Sequence, residues 1–351
     1  MIDEGRGRLG RAGPEADEAP ASLAGDMSEG PRALWYCAAG RAELRRGTPP
    51  RPGPGDVRVT TLWSGLSRGT ERLVFRGEVP SEVAELMRAP AQEGTFPFPV
   101  KYGYCAVGRI EGSEETVFAL HPHEEAFVAR RDALWKLPEG LPAKRALLAA
   151  NMETALNALW DSGAGPGDRI AVVGAGVVGL LVACLAARLP GAEVVAIDRD
   201  PSRAEPAARL GASFCLPDAA TGDADVVFHA SASQEGLALA LALAGREAAV
   251  VELSWHGIHG VSVPLGLDFH ARRLRLLSSQ VGTVPASRRP RWSTRRRLAK
   301  ALELLRDDRL DALITGEVAF ASLPARLPQL LAPGAPGLFT AIRYEGAAER
   351  G

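Results

Sequence analysis

Cysteine is scarce in this sequence, and its four copies, Cys37, Cys105, Cys184 and Cys215, stand far apart. With no C-x-x-C pair, neighbouring cysteines build neither a structural zinc knot nor a redox motif, and no disulfide framework is expected. Neither sign of charge is in excess: 41 Lys and Arg against 42 Asp and Glu leave a net charge of −1 over 351 residues. That balance argues against a polyanion or a membrane surface as the main partner. Residues 1–30 contain no apolar core of a secretory signal, so the cytoplasm is the expected location. The same stretch holds seven acidic and three basic residues among Gly, Ala and Pro. It is expected to be a disordered tail, with Met27 as a candidate initiator. Long uninterrupted apolar runs are missing too. Ile170 to Leu189 approaches the length of a membrane span, yet three glycines break it and its start is strand-like, which reads as a buried βα unit.

That βα unit is the most informative part of the chain. Ile170 to Val173 form an apolar, mostly β-branched run that meets Gly174, Gly176 and Gly179 in G-x-G-x-x-G spacing. Leu180 to Leu189 follow at helix length, and a second apolar run, Val194 to Ile197, ends at Asp198. Each part answers a need of a bound dinucleotide. Gly174 permits the sharp strand-to-helix turn, Gly176 lets the backbone approach a pyrophosphate, and Gly179 permits close helix–strand packing. The helix N-terminus, at Val178, offers N–H groups and partial positive charge to the phosphates. Asp198 lies 22 residues past Gly176, where a carboxylate accepts the hydroxyls of the adenosine ribose. The same carboxylate repels a 2′-phosphate, so NAD is the expected coenzyme. Arg199 is an adjacent cation able to turn toward such a phosphate. Arg203 either lines the adenosine pocket or is a solvated residue at a helix start.

Composition and periodicity divide the chain into a tail (1–30), a β-rich unit (31–149), a βα-alternating unit (150–285) and a short mixed segment (286–345). Ala33 to Ala38, Val57 to Trp63, Tyr104 to Glu111, Thr116 to Leu120 and Ala126 to Ala129 read as strands. Leu147, Leu148, Met152, Leu156 and Leu159 give Lys144 to Ser162 a helical period. Past Asp198, helices and strands alternate, which implies a parallel sheet covered on both faces. The fold class is therefore α/β, a Rossmann doubly wound sheet beside a second, β-rich unit. Arg288 to Lys300 holds seven basic residues and one tryptophan. It reads as a loop and the solvated face of an amphipathic helix, not as a nucleic-acid surface.

This order of units resembles the medium-chain dehydrogenase/reductase superfamily over residues 32 to 344. Ser64-Gly65-Leu66-Ser67-Arg68-Gly69-Thr70-Glu71 is similar to the segment that carries the first catalytic zinc ligand in zinc alcohol dehydrogenases. Tyr102 to Gly108 is similar to their G-H-E-x-x-G. More narrowly, S-G-x-S-x-G-T-E with a G-Y motif resembles the branch containing bacteriochlorophyllide a dehydrogenase. The resemblance implies a GroES-like catalytic domain to which residues 286–345 return, hydride transfer between an alcohol and a carbonyl of a small molecule in the interdomain cleft, and a homodimer formed through edge strands. It also implies that Thr154, Ser254 and Gln280 border the nicotinamide or its ribose, and that His229 and Ser231 face the coenzyme edge. Arg68 reaches the coenzyme pyrophosphate or forms a surface salt bridge.

Departures from the pattern set the expected mechanism. The resemblance places Ser67, Tyr104 and Ala150 or Asn151 at the zinc-ligand positions, and none of these is a normal zinc ligand. The lobe with four clustered cysteines is absent as well, so no metal is expected. Tyr104 becomes the first candidate to donate or accept the alcohol proton, with Lys101 lowering its pKa and Ser67 as a relay. The alternative is a packed aromatic with a structurally tied hydroxyl. Glu71 is a base, a helix cap or an ion-pair partner of Arg68. His121 and His123 read as loop structure. Two other functions fit the same residues: an NAD(P)H-dependent enone or quinone reductase, and a dinucleotide-binding protein without turnover.

Overall fold

The computed structural model describes residues 30–48 and 51–345, so the expected tail lies, but for Gly30, outside the described residues. Strand Arg169–Val173 stands at the centre of a six-stranded sheet. The strands follow the order Ser213–Cys215, Glu193–Ile197, Arg169–Val173, Ala224–His229, Ala244–Glu252, Arg275–Ser278, and every neighbouring pair is parallel. Counted along the chain this is the order 3-2-1-4-5-6 of the Rossmann fold, with its switch point between Arg169–Val173 and Ala224–His229. The continuous apolar runs follow from burial on both faces. One face packs Val172, Phe228 and Val251 against the helices, and the other packs Val173, Val227 and Val250. Helix Val177–Ala186 is buried over most of its surface because helix Ala149–Ser162 covers the side turned away from the sheet.

The β-rich unit contains a seven-stranded sheet ordered Ile314–Ala319, Phe339–Arg343, Asp56–Leu66, Ala106–Ile110, Thr116–Ala119, Trp135–Lys136, with Ala126–Arg130 also paired to Asp56–Leu66. Its neighbour, a four-stranded sheet, runs Arg41–Arg46, Arg32–Ala38, Val100–Lys101, Glu93–Gly94. The architecture is a Rossmann sheet plus a GroES-like β unit. The return of the chain is what positions the site. Phe339–Arg343 lies antiparallel on the end of Asp56–Leu66, with Thr340 opposite Leu66 and Arg343 opposite Trp63. Residues 335 to 344 thereby reach the segment that begins at Ser67.

Three details differ from the sequence expectations. Lys144 to Ser162 is a short helix, Ala143–Ala146, followed by Ala149–Ser162. A nine-residue helix, Arg68–Arg76, follows Ser67, and its αL cap at Gly77 ends it. The basic run is not simply a solvated face. Arg288, Arg295 and Arg296 stack over Trp160, Trp135 and Trp292 at 5.4, 5.0 and 4.0 Å. Arg297 is buried and bonds Glu153 at 2.9 Å, Asn157 and the Val281 carbonyl, tying helix Thr294–Leu304 to helix Ala149–Ser162. The sequence pattern missed this because the partners lie some 140 residues away. Among the described residues no helix is long and apolar enough to cross a membrane.

Candidate active site

The glycine turn has the shape that a dinucleotide needs. Gly174 adopts φ +102°, and a Cβ there would sit 2.6 Å from the Ser231 nitrogen. A Cβ on Gly179 would sit 1.9 Å from the Gly174 carbonyl oxygen, so only glycine allows the helix this close to the strand. Gly176 differs: its added Cβ would meet no protein atom within 4 Å. Gly176 is also the N-cap of helix Val177–Ala186, and no side chain caps that first turn. The first-turn N–H groups of a helix have no intrahelical partner. Open space before an uncapped helix N-terminus is where a pyrophosphate fits.

Asp198 takes part in building the turn. Its Oδ2 accepts the Ala175 N–H at 2.8 Å and its Oδ1 the Asp200 N–H at 2.9 Å. Each oxygen keeps a further lone pair for a ligand hydroxyl. Arg199 is exposed, and Arg203 pairs with Asp200 at 3.0 Å. From the β-rich unit, Arg68 donates to the carbonyls of Ala335, Pro336 and Gly337 at 2.5 to 3.0 Å. Burial first, then the Arg72 and Arg203 cations, push the Arg68 guanidinium below its ordinary pKa. Arg68 and Arg203, from the two units, thus lie within electrostatic range of each other. Arg68 forms no ion pair with Glu71.

Ser67, Tyr104 and Asn151 come together as one polar cluster. Asn151 Nδ2 donates to Ser67 Oγ at 3.2 Å, and the hydroxyls of Ser67 and Thr70 face the Tyr104 phenol. Asn151 Oδ1 is buried and accepts no hydrogen bond. A hydroxyl, a phenol and a carboxamide are not a zinc donor set. Burial, with the nearby Cys105, pushes the phenol well above its ordinary pKa, and the Ser67 and Thr70 hydroxyls only oppose this. The expected assistance from Lys101 is corrected by the structure. Lys101 is buried with its ammonium on Glu93 and on Glu124, the latter at 3.0 Å, so its charge is spent away from Tyr104.

Behind the cluster Glu71 is fully buried. Its Oε1 accepts the Ser67 N–H at 2.8 Å, which answers the helix-cap reading, and its Oε2 accepts the Tyr36 hydroxyl at 2.7 Å. His123 Nε2 lies 2.8 Å from the same oxygen, while Nδ1 meets Ser64 Oγ at 2.8 Å and Ser64 meets the Tyr344 hydroxyl at 2.9 Å. His121 stacks on Phe127 with ring centroids 3.7 Å apart, and burial pushes its pKa down to about 3. It stays neutral at ordinary pH.

In a second cluster, the sequence pointed to His229, Ser231 and Ser254 but not to Glu252 or His256. Register opposes His229 to Glu252 at the carboxyl ends of two parallel strands. His229 Nδ1 lies 2.6 Å from Glu252 Oε2 and Nε2 2.7 Å from Ser231 Oγ. His256 stands 3.6 Å from the same carboxylate oxygen. Ser254 Oγ accepts the Ala232 N–H at 3.0 Å. The pairing of strand ends was the available signal. Thr154 and Gln280 are occupied locally, by the Ala150 carbonyl at 3.0 Å and the Gly282 N–H at 2.6 Å.

No family model matches the chain. D-guloside 3-dehydrogenase of Escherichia coli is 27% identical over 304 residues, covering 77% of this chain and 87% of that protein. NADP-dependent alcohol dehydrogenase C 1 of Mycolicibacterium smegmatis is 31% identical over 46% of this chain and 47% of its own length. Among solved structures, 2R,3R-butanediol dehydrogenase from Bacillus subtilis covers 89% of this chain and 99% of that one, with TM-score 0.70 and 18% identity. A zinc-binding dehydrogenase from Sinorhizobium meliloti bound to NADP reaches TM-score 0.71 at 19% identity, covering 89% of this chain and 99% of that one. The fold is that of these dehydrogenases, and the relatives support membership of the medium-chain dehydrogenase/reductase superfamily, the zinc alcohol dehydrogenase-like group.

Proposed function

We propose that this protein is an NAD-linked dehydrogenase that interconverts an alcohol and a carbonyl without zinc at the Ser67, Tyr104 and Asn151 positions. The observation that carries this reading is the unpartnered Asn151 Oδ1 beside the Ser67 hydroxyl and the Tyr104 phenol, in a chain whose glycine turn is open for a dinucleotide. An unsatisfied buried acceptor costs about 1–3 kcal/mol, a cost that calls for a role beyond packing. Tyr104, held protonated by burial, is suited to donate to a substrate oxygen rather than to act as the resting base. The bound coenzyme supplies the hydride acceptor or donor. Gly176 and the helix behind it hold its phosphates, with Arg68 and Arg203 as candidate cations for them, and Asp198 receives the adenosine ribose. The relatives named above, which include alcohol and sugar dehydrogenases, support an oxidoreductase.

The test is turnover of a panel of alcohols with NAD by chelator-treated protein. Activity is expected to survive chelation, and Tyr104→Phe is expected to slow it by about 100-fold with NADH affinity unchanged. Activity lost on chelation and restored by zinc contradicts the reading. Unchanged turnover in Tyr104→Phe removes Tyr104 from the reaction, and silence with every alcohol but turnover of enones supports the reductase instead.

A further inference from the structure

A chain of polarised hydrogen bonds closes around His229. The Gly236 N–H donates to Ser233 Oγ at 3.1 Å, and Ser233 Oγ lies 3.0 Å from Ser231 Oγ. Ser231 Oγ stands 2.7 Å from His229 Nε2, and His229 Nδ1 stands 2.6 Å from Glu252 Oε2. The Ser254 N–H holds the other carboxylate oxygen at 2.7 Å. The carboxylate can only accept at Nδ1, so that nitrogen carries the proton and Nε2 is left to accept from Ser231. Burial alone would raise the Glu252 pKa, but the bonds from His229 and Ser254 override it and hold the group below its ordinary value. The imidazole is fully buried, whereas Ser231 is exposed.

Two backbone features maintain this arrangement. Ala232 takes a left-handed conformation, φ +51°, between the strand and the helix that starts at Gln234. Gly236 faces the hydroxyl so closely that a Cβ would sit 2.1 Å from Ser231 Oγ and 2.9 Å from His229 Nε2. Its place is also defined. Ser231 abuts Gly174 of the glycine turn, on the Ala224–His229 side of the switch point. A dinucleotide that lays its adenosine over Asp198 lays its other nucleotide over this side.

We propose that Ser231, His229 and Glu252 form a hydroxyl–imidazole–carboxylate relay that takes up the proton released when an alcohol is oxidised at the nicotinamide half of the coenzyme. The inference rests on the dehydrogenase reading. The alcohol carbon gives its hydride to the coenzyme, and the alcohol oxygen gives up its proton. Ser231 accepts that proton at Oγ and passes its own to His229 Nε2, and Glu252 balances the imidazolium. Carbonyl reduction runs the same path backward. The titratable groups packed against His229 are Glu252 on the neighbouring strand and His256 in the loop after it, with ring centroids 6.2 Å apart.

Binding separates this inference from the reading beneath it. The oxidised nicotinamide ring is cationic and the reduced ring is neutral, so a protonated His229 opposes NAD far more than NADH. NAD affinity is expected to fall toward acid pH while NADH affinity stays nearly constant. In His229→Gln the NAD dependence is expected to vanish while NADH still binds. Gly236→Ala is a second variant that keeps every relay residue but drives a Cβ against Ser231 Oγ and His229 Nε2. It is expected to keep fold and NADH binding while slowing hydride transfer about 100-fold. An NAD dependence that persists in His229→Gln, or turnover unaffected in Gly236→Ala, overturns the relay. So does stoichiometric zinc bound by His229, Glu252 and His256, or covalent labelling of Ser231 by a fluorophosphonate, which makes it a nucleophile. Failure of the native protein to bind either coenzyme overturns the dehydrogenase reading itself.

Discussion

Glu71 shows how one residue type serves a purpose set by its surroundings. Three donors converge on its two oxygens, from Tyr36, His123 and the Ser67 backbone, and Glu71, Tyr36 and His123 are fully buried. Glu71→Ala strips all three of an acceptor at once and is expected to cost about 3–5 kcal/mol in a denaturant melt, with Glu71→Gln costing less because one acceptor oxygen remains. Equal, small losses in both variants contradict the convergence. Lys101 gives the complementary lesson. Spacing alone set it beside Tyr104, but strand Val100–Lys101 pairs with Glu93–Gly94 and with Arg32–Ala38, and its side chain meets carboxylates that arrive from elsewhere.

At the scale of elements, the strand–turn–helix at 169–186 was legible because every requirement is local. The turn needs a positive φ, the helix needs close approach, and glycine alone supplies both at Gly174 and Gly179. The two remaining roles divide cleanly in experiment. Gly179→Ala drives a Cβ into the Gly174 carbonyl and is expected to destabilise the protein by about 1–3 kcal/mol. Gly176→Ala, in open space at φ −75°, is expected to leave stability within about 0.5 kcal/mol while weakening NADH binding, because its methyl enters the pyrophosphate's place. Thermal melts beside NADH titrations read both. Destabilisation by Gly176→Ala, or unchanged binding, contradicts the assignment of that space. What stayed illegible depends on register. His229 and Glu252 are 23 residues apart, and only the parallel pairing of their strands makes them neighbours. Arg297 sat inside a basic run that looked solvated, and its partners come from a helix in another unit.

Across the whole molecule, all four tyrosines share one state. Burial is the first cause that raises each of Tyr36, Tyr102, Tyr104 and Tyr344 above the ordinary phenol value. A raised folded pKa means that the native state holds its protons longer than the unfolded chain, so this contribution to stability is full below about pH 10 and declines as pH rises beyond it. Phenolate absorbance is expected to appear together with loss of structure in a single alkaline transition, and phenols titrating in the folded protein contradict the burial. The division into a Rossmann sheet and a β-rich unit followed from alternation against short strands. The way the return strand Phe339–Arg343 brings the late chain to Ser67 did not, because it is a pairing between residues nearly 300 positions apart.

The central claim is that the turn at Gly174 to Gly179 and the carboxylate of Asp198 bind NAD. Equilibrium fluorescence titration of the purified protein with NADH and with NADPH tests it most directly. The account predicts NADH binding at least about tenfold tighter, equivalent to about 1.4 kcal/mol, with the preference shrinking in Asp198→Asn. Tighter NADPH, or no binding of either, contradicts it.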